Sequence, residues 1–137
     1  KQAELAFKND EVPVGAVIVE NGNIIAASHN QNISLTDPTA HAEILALRQA
    51  AIVKGSHRLT NCDLYVTLEP CPMCASAISL ARIKRVYYGA SDEKSGGVEN
   101  GPRIYQSTSC HHKPEIYSGI AEQPSKELLT SFFSKRR

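Results

Sequence analysis

Two hydrophobic rhythms share this chain. "PVGAVIVE" (13–20) and "NIIAAS" (23–28) are apolar and β-branched, and Asn21-Gly22 stands between them. That dipeptide tolerates the positive φ angles of a tight hairpin turn, so the stretch predicts two antiparallel strands. "QNISLTDP" (31–38) has no period and reads as loop. From Ala40 the rhythm changes, with apolar residues recurring at Ile44, Leu47 and Ala51, a 4-3-4 spacing that predicts an amphipathic helix ended by Lys54-Gly55. "DLYVTL" (63–68) predicts a buried strand, and Pro72 suits the first turn of a short helix running to about Leu80. "RVYYGA" (85–90) predicts another strand. Residues 91–114, which carry Gly96, Gly97, Gly101, Pro102 and Pro114, predict a long surface loop with one short helix. "EIYSG" (115–119) predicts a last short strand. Ser125 would cap a final helix with Leu128, Leu129, Phe132 and Phe133 on one face, closing in Lys135-Arg136-Arg137, where basic charge suits the helix end. The opening "KQAELAFKND" reads as a helix and lacks the apolar core of a signal peptide.

Helix, hairpin, helix, strand, helix, strand, loop, strand, helix is the order of a three-layer α/β domain with a mixed sheet. The 137 residues fit one domain with a real core, and 42% apolar against 21% charged content is that of an ordinary globular chain. No apolar stretch approaches the roughly 20 residues of a membrane-spanning helix. A net charge of +1 neither demands nor excludes a nucleic-acid partner; any basic surface must be local. The chain starts at Lys1 without methionine, which points to an N-terminal segment beyond it.

Chemistry enters with "TLEPCPMC" (67–74). Cys71 and Cys74 sit three apart where a strand passes into a helix, which puts both sulfurs on one side of a turn. The positive helix end favours thiolate. By themselves the two cysteines fit a redox pair, half of a structural zinc site or half of a catalytic one. "DPTAHAE" (37–43) supplies the candidates that decide. His41 and Glu43 are two apart, and at the open N-terminus of a helix both can lean towards one point beyond the axis; Asp37 or Thr39 would cap that helix. His41, Cys71 and Cys74 would make three protein ligands and leave one tetrahedral position open, the catalytic zinc pattern. Two thiolates and a neutral imidazole cancel the charge of Zn2+, so a neighbouring carboxylate is needed to take up a proton, and Glu43 is placed for it. Cys110-His111-His112 is a rival cluster that could close a four-ligand structural site. Cys62 reads as a small apolar core group.

"HAE" with "PCPMC" resembles the signature of the zinc-dependent cytidine-deaminase superfamily. "EVPVGAVIV", "DPTAHAEILALRQA", "LYVTLEPCPMCASAIS", "ARIKRVYYGA" and "SFFSKRR" narrow the resemblance to the TadA-type tRNA adenosine deaminases, from about Glu11 to the C-terminus and weakest over 95–125. The resemblance implies a single deaminase domain over residues 1–137, with a cytidine-deaminase-like α/β/α fold around a five-stranded mixed sheet. It further implies one Zn2+ per subunit on His41, Cys71 and Cys74, with Glu43 as the proton shuttle. The reaction would be hydrolytic deamination of the wobble adenosine of a tRNA anticodon to inosine. Asn30, Pro13, Val14 and Ala42 would surround the base, and Lys94, Arg103, Lys135, Arg136 and Arg137 would reach RNA phosphates. A cytoplasmic homodimer with no membrane association is the expected assembly. The alternatives carried forward are a relative acting on free guanine, cytosine or a nucleoside, a non-catalytic zinc module closed by Cys110 or a neighbouring histidine, and a dithiol redox protein.

Overall fold

The structure, a computed structural model, describes residues 1–135; the expectations for Arg136 and Arg137 lie outside the described residues. The hairpin forms as its turn dipeptide requires, with Asn21 at φ 50° and Gly22 at φ 79° joining β1 (Gly15–Glu20) to β2 (Asn23–His29). Ahead of it α1 spans Gln2–Lys8, and behind it α2 spans Ala42–Lys54 and stops at Gly55 in the left-handed conformation. Then follow β3 (Cys62–Leu68), α3 (Pro72–Leu80), β4 (Arg85–Ala90), a 3-10 turn at Ile104–Gln106, β5 (Glu115–Tyr117) and α4 (Glu122–Ser134).

The five strands form one mixed sheet in the order β2-β1-β3-β4-β5. β1 runs antiparallel to both neighbours, while β3, β4 and β5 are parallel. β2 therefore points the same way as β3 and β4, so all three release their chain at one edge. Alternation along the strands separates two faces. Ala16, Ile18, Leu64, Val86 and Tyr88 face α2 and α3 and form the buried core with Ala46, Ala50 and Ile78. The other face carries α1 and α4, joined edge-to-face by Phe7 and Phe132 at 5.9 Å, and a stack of Tyr65, Tyr87 and Tyr117 at 4.5 and 5.0 Å. Gly15 is small because α1 lies directly on it: a Cβ there would come within 2.6 Å of Gln2 and Ala3. The result is the expected three-layer α/β/α arrangement.

The last helix differs from the sequence reading. It starts three residues before Ser125, from Ala121 at φ 53°, and Ser125 is a buried internal residue whose hydroxyl donates to the Ala121 carbonyl at 2.9 Å. Phe132 is only 4% exposed against Phe7, but Phe133 is 47% exposed. The helix buries a narrower stripe than its four large apolar residues suggest.

Candidate active site

Three consequences of the topology meet at the shared edge. The chain leaving β2 returns as α2, the chain leaving β3 enters α3 directly, and the chain leaving β4 begins the long loop 91–103. His41 is the N-cap of α2 and Cys71 the N-cap of α3, both with extended backbone, so both side chains project beyond the helix ends. Cys74 lies one turn into α3 and is fully buried, and Glu43 lies in the first turn of α2 and is 4% exposed.

The sulfurs of Cys71 and Cys74 each lie 3.5 Å from Nδ1 of His41, and the three ligand atoms fall within 4.8 Å of one another. Tetrahedral zinc with Zn–S near 2.3 Å and Zn–N near 2.0 Å requires an S···N spacing of about 3.5 Å. The donor set therefore fits zinc in both chemistry and spacing. The cysteines are free thiols and not bonded to each other, so no disulfide competes with ligation. The Cys74 thiol, helped by His41, pulls Cys71 down to about 4, and the same hydrogen bond together with burial pushes Cys74 far up. The hydrogen bond to Cys71 raises His41 against the opposing effect of burial. The protons retained on Cys74 and His41 are the ones that a bound cation displaces. Burial pushes the Glu43 carboxyl up to about 7, partly offset by its own backbone N–H and by His41. A carboxyl held near neutrality in a recess beside three ligands is suited to proton transfer.

Neither Asp37 nor Thr39 caps α2. Asp37 accepts both the N–H and the hydroxyl of Thr39 at 2.8 Å and so closes a local turn. The cap comes from twelve residues upstream: Oδ1 of buried Asn30 accepts the N–H of Ala42 at 2.8 Å. Asn30 thus ties the end of β2 to the helix that carries His41 and Glu43, and it also lines the recess of about 200 Å³ formed with Val12, Val14, His41, Glu43 and Cys71. Pro13 and Ala42 are fully buried behind that lining.

The candidate basic residues are spread out. Lys94 is exposed on the loop next to Asp92 and Ser95, which border the recess. Arg103 is exposed at the far end of that loop and donates from Nε to the Glu99 carbonyl. Lys135 lies over the Phe7 ring, 5.1 Å from its centroid, in the α1–α4 layer. Cys110 and His112 do not join the cluster. Cys110 packs against Ser79 Oγ at 3.4 Å and the His112 carbonyl at 3.2 Å, and the His112 ring meets the Ile83 carbonyl at 2.6 Å. Among the described residues His41, Cys71 and Cys74 are the one group able to hold a metal, so a shell closed by Cys110 has no support. Two buried carboxylates escaped sequence reasoning: Glu11 and Glu69, each of which anchors a loop at this edge.

Residues 1–90 match the family model described as the cytidine and deoxycytidylate deaminase zinc-binding region. The chain is 54% identical to the tRNA-specific adenosine deaminase of Agrobacterium fabrum over 99% of its length and 90% of that protein's. Among solved structures it is similar to one from a study of A-to-I editing by tRNA:A34 deaminases at the wobble position, with a TM-score of 0.92 and 55% identity over 93% of both chains. It is also similar to the guanine deaminase of Bacillus subtilis, with a TM-score of 0.65 and 35% identity over 98% of this chain and 87% of that one.

Proposed function

Because the chain belongs to the tRNA-specific adenosine deaminases of the cytidine and deoxycytidylate deaminase family, we propose that it converts the wobble adenosine of a tRNA anticodon to inosine by hydrolytic deamination. The observation that carries this reading is the cluster of His41, Cys71 and Cys74, with both sulfurs 3.5 Å from His41 Nδ1, beside a buried Glu43.

His41 Nδ1 and the two thiolates would hold one Zn2+ per subunit, which would supply the Lewis acid that makes water nucleophilic near neutral pH. The remaining work falls to side chains of this chain. Glu43 accepts one proton from water and delivers it to the ring nitrogen beside the attacked carbon; it then takes the second proton, from the hydroxyl now on that carbon, and gives it to the amino group, which leaves as ammonia. Its burial keeps it close to the pKa such a two-way shuttle needs. Asn30 has Oδ1 committed to Ala42, which leaves its amide NH2 to hold the base. Val14 packs against the base in the same recess, with Pro13 and Ala42 supporting the wall from behind. An unpaired anticodon base reaches such a recess without the cost of leaving a duplex. Lys94 and Arg103 meet phosphates on either side of the loop, with Lys135, Arg136 and Arg137 contributing from the tail.

Residues 1–137 act as one deaminase domain. The protein works as a homodimer, supported by an apolar groove between α2 and α3 lined by Ile44, Leu47, Ala77 and Leu80, the last 78% exposed. Its compartment is the cytoplasm, where tRNA is found; no helix among the described residues is long and apolar enough to cross a membrane.

The test compares an anticodon stem-loop with adenosine, guanine and cytosine as substrates for the zinc-loaded protein. Inosine at the wobble position, with its new oxygen taken from labelled water and negligible turnover of the free compounds, is the expected result. Preferential turnover of free guanine or cytosine would overturn the reading in favour of a base deaminase.

A further inference from the structure

Glu69 is 2% exposed, and no lysine or arginine among the described residues pairs with it. A buried carboxylate without a cation needs another source of positive potential. Loop 91–103 provides it. Oε1 accepts the N–H of Asp92 at 3.0 Å and the side-chain amide of Asn100 at 2.6 Å. Oε2 accepts the N–H groups of Val98, Glu99 and Asn100 at 3.1, 2.9 and 3.0 Å. The loop is wound around this one side chain, and the fit is close. A Cβ on Gly96 would stand 2.6 Å from the carboxylate. The loop is also laid on the ligand turn, since the Gly97 N–H donates to the Pro70 carbonyl at 2.8 Å. Its near end, Asp92 and Ser95, borders the recess that holds His41 and Glu43.

We propose that Glu69 is a positioning residue for substrate binding: its carboxylate is the internal anion around which loop 91–103 folds, and the loop fixed in this way seats the RNA against the recess. This rests on the function proposed above and deepens it. The groups that perform the chemistry are held by the N-termini of α2 and α3, whereas the loop is held by Glu69. Loosening the loop therefore lowers the fraction of protein ready to bind without changing the chemical step in molecules that have bound. The effect belongs in KM.

The test uses the zinc-loaded protein and two variants. Glu69→Gln keeps the shape but turns an NH2 towards N–H donors whichever way the amide rotates. Asn100→Ala removes one bond from the more exposed loop side and keeps the test open if the first variant folds poorly. Measured on an anticodon stem-loop, KM rises about tenfold in Glu69→Gln and about threefold in Asn100→Ala, with kcat within about threefold of the parent. Zinc content stays at the parent level, and hydrogen exchange quickens at Val98, Glu99 and Asn100 but not in β3 or α2. Unchanged KM in both variants overturns the inference, as does loss of zinc or of kcat at constant KM, which would place the role of Glu69 in the cysteine turn. Failure of the parent protein to deaminate the stem-loop would instead strike the proposed function itself.

Discussion

At the scale of single residues, Glu11 and Glu69 are buried carboxylates that hold the loops bordering the recess. His41, Glu43, Cys71 and Cys74 stand out in the sequence as candidates only when taken together, and the structure brings His41, Cys71 and Cys74 to one point. Glu11 and Glu69 look like ordinary surface acids in a string of letters; only long-range pairing makes them structural. Glu69 did carry a signal, an acid ending the buried strand directly before Pro70-Cys71. Glu11 does for residues 33–34 what Glu69 does for 92–100: its oxygens accept the Ile33 N–H at 3.1 Å and the Ser34 N–H and hydroxyl at 2.7 Å. Burial pushes the Glu11 carboxyl up, but these bonds and His29 outweigh it and hold the group below its ordinary 4.5. A carboxyl with a lowered folded-state pKa contributes stability above its unfolded value and loses that contribution as pH falls. Glu11→Gln should therefore cost about 2 kcal/mol at neutral pH. The gap in Tm between parent and variant should shrink steadily below pH 4.5. Thermal melts at pH 7 and pH 4 check this, and a gap that widens on acidification would refute it.

At the scale of elements, local pattern was a good guide where local forces decide. Asn21-Gly22 specified the hairpin because few other dipeptides accept two positive φ angles. Cys71-Pro72 opened α3 because proline is at home in a first turn. The misread ends were those set from a distance: Asn30 caps α2 across twelve residues, and α4 begins from Ala121 rather than at Ser125. The periodicity of α4 likewise put both phenylalanines on one face, although only Phe132 is covered. Phe132→Ala should then destabilise the protein by about 3 kcal/mol or more, through the cavity left against Phe7. Phe133→Ala should cost under about 1 kcal/mol. Urea denaturation separates the two, and equal losses would mean that α4 packs differently.

For the molecule as a whole, function follows from strand direction. Because β1 runs against β2 and β3, and β4 runs with β3, the ends of β2, β3 and β4 share an edge, and residues 30, 41–43, 71–74 and 92–100 meet there although they lie far apart in the chain. The alternation of helices and strands was enough to foresee three layers and converging helix openings. It could not reveal that loop 91–103 wraps onto the ligand turn, since its glycines and prolines say only that it is not regular structure. The deaminase reading depends on this convergence and on the division of labour within it, with three ligands to hold zinc and one carboxylate to move protons. Its most direct test is a single-turnover measurement on an anticodon stem-loop, comparing the parent protein with Glu43→Gln, each first shown to hold one zinc per subunit. The account predicts that the variant keeps its metal and its affinity for RNA while inosine formation falls by about a thousandfold or more. A zinc-replete Glu43→Gln protein that still forms inosine at close to the parent rate would contradict it.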